Sequence, residues 1–181
     1  RPPHNICMDS DEVQRRLANA ADRVFKAFAG SGRTLCAAES CTGGLVGSSI
    51  VAISGASAFF KGSAVCYCDD AKISILGVSR ATLEKHFAES AECAKEMALG
   101  AARIFGASAA VSTTGFLDAN VGNKPADLKG TVFVCVALDR GGKFDTFASR
   151  VSLDPSAPRN VNRAIVAACA LESLSLALSA V

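Results

Sequence analysis

Apolar residues recur at helical spacing near both ends of the chain. Near the start, a stripe with a spacing of three or four residues predicts an amphipathic helix and consists of Val13, Leu17, Ala21, Val24 and Phe28. Asp9, with Glu12 three residues later, forms a capping-box pattern, so we expect this helix to begin there and to end near Gly30. A second stripe predicts a last helix from about Ser156 to Ala180 and consists of Ala164, Ala167, Leu171, Leu174 and Leu178.

Short apolar runs between these helices predict buried strands at residues 34–38, 64–68, 109–113, 131–138 and 143–153, the last two joined by a hairpin turn. Helical patterns lie at residues 43–53 and after Ser79 and Ser90. The helix after Ser90 is expected to end at Gly106 and to carry on one face Ala94, Met97, Ala101 and Ile104. This alternation predicts an α/β sandwich, a mixed sheet covered by helices on both faces.

Length and composition favour one folded domain without a strongly charged binding surface. We expect residues 9–181 to form a single domain and residues 1–8 to form a tail. Half of the residues are hydrophobic and the net charge is +2, with no cluster of Lys or Arg, so nothing indicates binding to nucleic acid or to an anionic membrane. Neither a signal peptide nor an apolar run of about 20 residues is recognised, which favours a cytoplasmic protein.

Eight cysteines are an even number that could indicate disulfides, but several lie in apolar segments, where free thiols behave as small hydrophobic residues. Cys66 and Cys68 lack the two-residue gap of zinc sites and neither histidine is close in sequence, so no metal site is predicted. A thiol redox protein that uses Cys66 and Cys68 is a weaker alternative, since nothing nearby would reliably lower a thiol pKa.

Ser40 is the best candidate for a nucleophile. It comes two residues after an apolar run and is followed by Gly43 and Gly44 at the start of a helical pattern. A tight turn from strand to helix exposes a hydroxyl, and the helix N-terminus offers unpaired N–H groups to an oxyanion or a phosphate. The alternative, given equal weight on the pattern alone, is that Ser40 and Thr42 merely cap the helix.

The search for a base leads to lysine, because His4 lies in the expected tail and His86 lies at the end of a helical pattern. Lys72 follows the strand predicted at residues 64–68, and ligands of open α/β sheets bind at strand ends. From the pattern alone, an ordinary surface lysine is the favoured interpretation. Tyr67, the single tyrosine, could instead be a cross-strand packing residue.

Arg159 and Arg163 lie four residues apart near the start of the last helix, so they share a face. Two guanidinium groups on one face could bind a phosphate, although solvated side chains are the favoured interpretation of the pattern alone.

Several segments together resemble the CinA C-terminal domain, the nicotinamide-mononucleotide amidase (PncC) family. Residues 38–44 (Ala-Glu-Ser-Cys-Thr-Gly-Gly) carry the most specific likeness, and their spacing to Tyr67 and Lys72 also fits. Further matching segments are residues 54–60, 65–72, 76–78, 96–101 and 130–132, so the resemblance covers about residues 10–178. It implies a three-layer α/β/α sandwich with a mixed, mostly parallel five-stranded sheet.

The resemblance implies hydrolysis of nicotinamide mononucleotide to nicotinate mononucleotide and ammonia, with no metal or other cofactor. It assigns Ser40 as nucleophile, Lys72 as base, and Tyr67 and Arg159 to the catalytic site. Arg159 would keep Lys72 neutral or bind the nucleotide. The oxyanion donors are expected near Gly43 and Gly44, and the expected substrate-binding residues are Thr42, Gly43, Gly44, Thr114, Gly115 and Arg163. A homo-oligomer with a small pyridine nucleotide as its partner is expected.

The chain departs from the family pattern in two loops. Where the family has a Gly-Ile-Ala-Gly-Pro-like run, residues 115–119 read Gly-Phe-Leu-Asp-Ala, and where it has Gly-Ala-Val-Ser, residues 87–90 read Phe-Ala-Glu-Ser. Phe116 and Asp118 could narrow or redirect the substrate pocket. An inactive CinA-like module that binds a nucleotide or a protein partner is therefore the alternative function.

Overall fold

Six α-helices and five strands follow one another along residues 9–180, the part of the chain described by the computed structural model. The helices are α1 (Ser10–Phe28), α2 (Leu45–Val51), α3 (Asp69–Leu76), α4 (Arg80–His86), α5 (Ala91–Phe105) and α6 (Arg159–Ser179). The strands are β1 (Leu35–Glu39), β2 (Phe60–Val65), β3 (Ala109–Gly115), β4 (Thr131–Asp139) and β5 (Phe144–Ser152). The tail predicted at residues 1–8 lies outside the described residues.

The strands form one sheet in the order β2-β1-β3-β4-β5. β1 pairs with β2 and β3 in parallel, whereas β4 is antiparallel to both β3 and β5, so four strands point one way and β4 opposes them. Glu39, the last residue of β1, pairs with Val65 on one side and Thr113 on the other. The carboxyl ends of three neighbouring strands therefore meet at one edge of the sheet, where α/β folds bind ligands.

Helices cover both faces of the sheet. One apolar core joins α1, α2 and α6 to the sheet and includes Val24, Phe28, Ile50, Val134 and Leu171. A second core joins α3 and α5 to the opposite face and includes Cys36, Leu76, Met97, Ala101 and Cys135. This arrangement confirms the predicted three-layer α/β/α sandwich with a mixed sheet.

Helix boundaries agree well with the sequence pattern. The Asp9 carboxylate accepts the Glu12 N–H at 2.7 Å, as the capping pattern predicts. Ser79 and Ser90 cap α4 and α5 in the same way. Of the four residues predicted on one face of α5, only Ile104 is not buried, since it is 48% exposed. Ala98, Ala101 and Phe105 continue the inner face of α5 and leave Ile104 at its edge.

The strand predicted at residues 64–68 is also wrong in its bounds. β2 occupies Phe60–Val65, and Cys68 is already the N-cap of α3, a helix that the apolar pattern did not show. Asp69 and Asp70 in its first turn suit a helix N-terminus electrostatically. Lys72 thus lies on a helix rather than on a loop.

α6 is the one described helix long and apolar enough, by length and composition, to cross a membrane. Half of its most apolar stretch is buried inside the protein, against α1 and the sheet. Core helices of globular domains pass the same test, and α6 has the burial of such a helix.

Candidate active site

Ser40 lies in a tight turn between β1 and α2. Its N–H donates to the Thr113 carbonyl at 3.0 Å, which ties the turn to β3, and its carbonyl accepts the Gly43 N–H at 3.1 Å. Gly43 and Gly44 have left-handed φ angles of 58° and 94°, which glycine adopts without steric cost. Gly44 is the N-cap of α2, and the side chains of Ser40 and Thr42 accept none of the N–H groups in its first turn. The interpretation of Ser40 and Thr42 as helix caps is therefore wrong.

Glu39 holds this turn from beneath, although its side chain is fully buried. One carboxylate oxygen accepts the Gly47 N–H and the Ser63 hydroxyl, each at 2.8 Å. The other accepts the Val46 N–H at 3.0 Å and the Thr42 hydroxyl at 2.8 Å. Because both oxygens are satisfied, the buried charge fixes the start of α2 relative to β1 and β2.

Thr42 completes this arrangement. Its hydroxyl also lies 2.7 Å from the Thr113 hydroxyl, and the side chains of both threonines are fully buried. We call Glu39, Thr42 and Thr113 the Ser40 frame. Sequence reasoning gave Glu39 no role of its own; the available signal was a carboxylate that ends an otherwise apolar strand.

A cavity of about 430 Å³ opens beside Ser40 at the carboxyl ends of β1 and β3. Six of the ten predicted site residues line it: Ser40, Tyr67, Lys72, Thr114, Gly115 and Arg159. Its other lining residues are Cys41, Asp69, Glu89, Phe116, Asp118 and Asn120. Residues far apart in the sequence thus surround the candidate nucleophile.

The remaining four predicted residues lie outside this lining. Thr42 belongs to the buried frame, and the Gly43 N–H is engaged by the Ser40 carbonyl. Gly44 is the start of α2. Arg163 is exposed one turn further along α6, so the expected shared face brings Arg159 alone to the cavity.

Lys72 is 2% exposed, which contradicts the interpretation of an ordinary surface lysine. Its Nζ donates to the Tyr67 carbonyl at 3.3 Å. Within residues 9–180 it forms no hydrogen bond to Ser40 and no ion pair, although Lys72 and Ser40 line the same cavity. Its Nζ is therefore held by the residue before the α3 N-cap, and the side chain lines the cavity.

Tyr67, Asp118 and Arg159 form the rim of the cavity. One guanidinium nitrogen of Arg159 lies 2.5 Å from the Asp118 carboxylate, and another donates to the Tyr67 hydroxyl at 3.1 Å. The Asn120 N–H and the Arg159 guanidinium hold the pKa of Asp118 below its usual value. Tyr67 is 64% exposed, so it is not a cross-strand packing residue.

The cysteines near the site are poor nucleophiles. Burial raises the pKa of Cys41, the neighbour of Ser40, to about 12, so its side chain stays a thiol at neutral pH. Burial also raises the pKa of Cys66, which weighs against a redox pair with the exposed Cys68. The candidate nucleophile at this position is therefore the Ser40 hydroxyl.

Histidine and metal chemistry have no support in the described part of the chain. His86 ends α4, lies 3.8 Å from Glu92 and does not line the cavity. No group of three or more metal-ligating side chains was found among residues 9–180.

Fold and site together define an α/β/α domain whose polar cavity holds a serine and a buried lysine at the ends of parallel strands. The family model for the CinA C-terminal domain matches residues 17–178. The chain therefore belongs to the CinA C-terminal domain family, as its sequence motifs predicted.

Curated relatives carry two kinds of name. The chain is 42% identical over 129 residues to a CinA-like protein of Fervidobacterium nodosum, covering 71% of this chain and 31% of that protein. It is 35% identical over 164 residues to the nicotinamide-nucleotide amidohydrolase PncC of Shewanella oneidensis, covering 90% and 37%. The chain thus spans about a third of the length of the curated relatives it matches.

Solved structures match over nearly the whole chain. The competence/damage inducible protein CihA from Agrobacterium tumefaciens is 32% identical, with a TM-score of 0.81, and the match covers 91% of this chain and 96% of that one. The competence damage-inducible protein A from Klebsiella pneumoniae is 28% identical, with a TM-score of 0.80 and coverages of 90% and 97%.

Proposed function

We propose that this chain is an amidohydrolase that cleaves the carboxamide of a nicotinamide nucleotide, with Ser40 as nucleophile and Lys72 as base. The observation that carries the proposal is the shared cavity, which brings the Ser40 hydroxyl and the buried Lys72 amine together with Tyr67 and Arg159. The relative named PncC, similar over 90% of this chain, supports the choice of substrate.

In the proposed reaction, the Lys72 amine takes the Ser40 proton while the Ser40 oxygen attacks the carboxamide carbon. The tetrahedral intermediate collapses as Lys72 returns this proton to the amide nitrogen, which leaves as ammonia, and an acyl ester on Ser40 remains. Water then attacks the ester, which releases the carboxylic acid and restores the hydroxyl. The proposed steps need a serine hydroxyl and an amine that line the same cavity, and they use no metal.

We revise the assignment of the oxyanion donors, which the sequence led us to expect near Gly43 and Gly44. The Gly43 and Ser40 N–H groups are engaged by the Ser40 and Thr113 carbonyls. We assign the oxyanion contact to the N–H of Cys41, which lines the cavity and for which residues 9–180 supply no backbone acceptor. A donor of this kind contributes about 100-fold or more to turnover.

Ammonia release from nicotinamide mononucleotide by the purified protein tests the proposal, with no metal added. Ser40→Ala should abolish turnover, whereas Ser48→Ala, which changes an exposed serine of α2, should leave it intact. Full activity in Ser40→Ala would contradict the mechanism. Nucleotide binding by the wild type without ammonia release would instead support the non-catalytic module.

Lys72→Met tests the base separately. It should lower kcat by roughly two to four orders of magnitude, because Met keeps the apolar length of the side chain but cannot accept a proton. Lys61→Met, at an exposed position of β2, is the matched control. A loss below about tenfold would reject Lys72 as the base.

We further propose that the protein is cytoplasmic and forms a homo-oligomer. Size-exclusion chromatography with light scattering checks the oligomeric state directly.

A further inference from the structure

Two carboxylates enter the cavity from the loops in which the sequence departs from the family pattern. Glu89 comes from the segment before α5, and Asp118 comes from the loop after β3. Both line the cavity, in which Asp69 supplies a third carboxylate, Arg159 supplies a guanidinium and Lys72 supplies an amine. The two loops therefore each place one carboxylate where a substrate would meet it.

At the rim of the cavity, Asp118 forms an ion pair with Arg159, which is the cation that a phosphate would need. Its carboxylate lies 2.5 Å from Arg159, which is closer than the Tyr67 hydroxyl at 3.1 Å. Arg163 does not line the cavity and Lys72 is assigned to the proposed chemistry, so Arg159 is the guanidinium available to a phosphate. A phosphate dianion could bind it only by displacing or crowding Asp118.

Glu89 is a second carboxylate in the cavity lining. Its Oε2 atom is buried and has no hydrogen-bond partner among the described residues. The same oxygen forms an ion pair with Lys124, whose Nζ lies 3.6 Å away and which does not line the cavity. Lys124 also lies 4.1 Å above the ring of Phe87, whose left-handed φ of 67° is unusual for a residue with a side chain.

We propose that Glu89 and Asp118 are specificity-determining residues that make this cavity prefer a cationic pyridinium carboxamide without a phosphate over its phosphorylated counterpart. The positive ring of such a substrate complements these two carboxylates, whereas a phosphate dianion is repelled by them and competes with Asp118 for Arg159. This inference rests on the proposed amidase function and concerns the non-reacting part of the substrate.

The test compares nicotinamide riboside with nicotinamide mononucleotide. Calorimetric binding to the Ser40→Ala protein gives Kd for both without turnover, and ammonia release by the wild type gives kcat/KM for both. We expect at least about fivefold preference for the riboside in each measurement, decreasing as salt is added.

Two substitutions sharpen the test. Asp118→Asn and Glu89→Gln should each move the preference about tenfold towards the nucleotide, Asp118→Asn by lowering KM for the nucleotide. Asp70→Asn, an exposed carboxylate of α3 outside the cavity lining, should leave the ratio unchanged. Thermal melts check that each variant is folded. If one variant does not fold, the other still tests the proposal.

The outcomes separate this inference from the proposed function. Ammonia release from both compounds, with a wild-type preference for the nucleotide that neither variant changes, would overturn the specificity assignment and leave the amidase intact. Preferential riboside binding without ammonia release from either compound would overturn the amidase and keep the specificity assignment. Binding of neither compound would overturn both.

Discussion

In the Ser40 frame the side-chain oxygens of Glu39, Thr42 and Thr113 are buried and joined by hydrogen bonds, whereas at the rim Tyr67, Asp118 and Arg159 are partly exposed. The frame joins the end of β1, the turn that carries Ser40 and β3. The rim joins the loop after β3 to the start of α6 by an ion pair. The comparison teaches that the proposed chemistry rests on the buried frame, whereas the proposed substrate preference rests on the rim, where we expect substitutions to cost little stability.

The largest effect is expected in the frame, from Glu39→Ala. Removal of the carboxylate leaves the buried Val46 and Gly47 N–H groups without acceptors, so the free energy of unfolding should fall by about 3–5 kcal/mol. Urea denaturation measures this, with Glu84→Ala on the exposed side of α4 as control. A loss below about 1 kcal/mol would show that the frame is not held by Glu39.

A smaller effect is expected from Gly47→Ala, which adds one methyl group next to Glu39 of the Ser40 frame. The new Cβ would lie 2.9 Å from the Ser63 Cβ and 3.4 Å from a Glu39 carboxylate oxygen. Overpacking costs about 1–3 kcal/mol, and alanine returns up to about 1 kcal/mol of helix propensity. Urea denaturation should show net destabilisation, together with lower kcat if Ser40 shifts. Net stabilisation would mean that the frame can adjust.

At the rim, Asp118→Asn should change stability by less than about 1 kcal/mol, because ion pairs near the surface contribute little. Thermal melts of this variant and the wild type measure the difference. A loss comparable to that of Glu39→Ala would abolish the distinction between frame and rim.

The smallest effect concerns pH. The pKa of Asp118 is lowered in the folded protein, so its stabilising contribution is present above the ordinary carboxyl value of about 3.9 and is lost as pH falls through the lowered value. The difference in Tm between wild type and Asp118→Asn should thus persist near pH 4 and vanish at lower pH. A difference that instead grew on acidification would contradict the ion pair.

Much of the fold could be predicted because local patterns and tertiary burial agree. Asp9, Ser79 and Ser90 cap helices in the structure as their patterns predicted, and the hairpin between β4 and β5 follows its turn signal. β2 and α3 were misplaced because Cys66 is buried without being in a strand, and periodicity cannot separate these cases.

The candidate site was predicted in part. Ser40 and Lys72 were predicted as candidates from the motif and its spacing. Glu39 was noted only as one residue of the motif, because its four hydrogen bonds come from residues up to 24 positions away. Glu89 and Asp118 reach the cavity only because two separate loops converge on it. Such convergence depends on strand order, which no local pattern encodes.

By itself the sequence determined the alternation of helices and strands, the glycine turn after β1 and the presence of a serine with a lysine at family spacing, since these follow from local periodicity and backbone freedom. The tertiary structure alone decided which charges share the cavity. Burial of Lys72, the ion pair of Asp118 with Arg159 and the engagement of the Gly43 N–H all arise from long-range packing. The physical reason is that local propensity acts over a few residues, whereas the charge around a substrate is summed over groups brought together by the whole sheet.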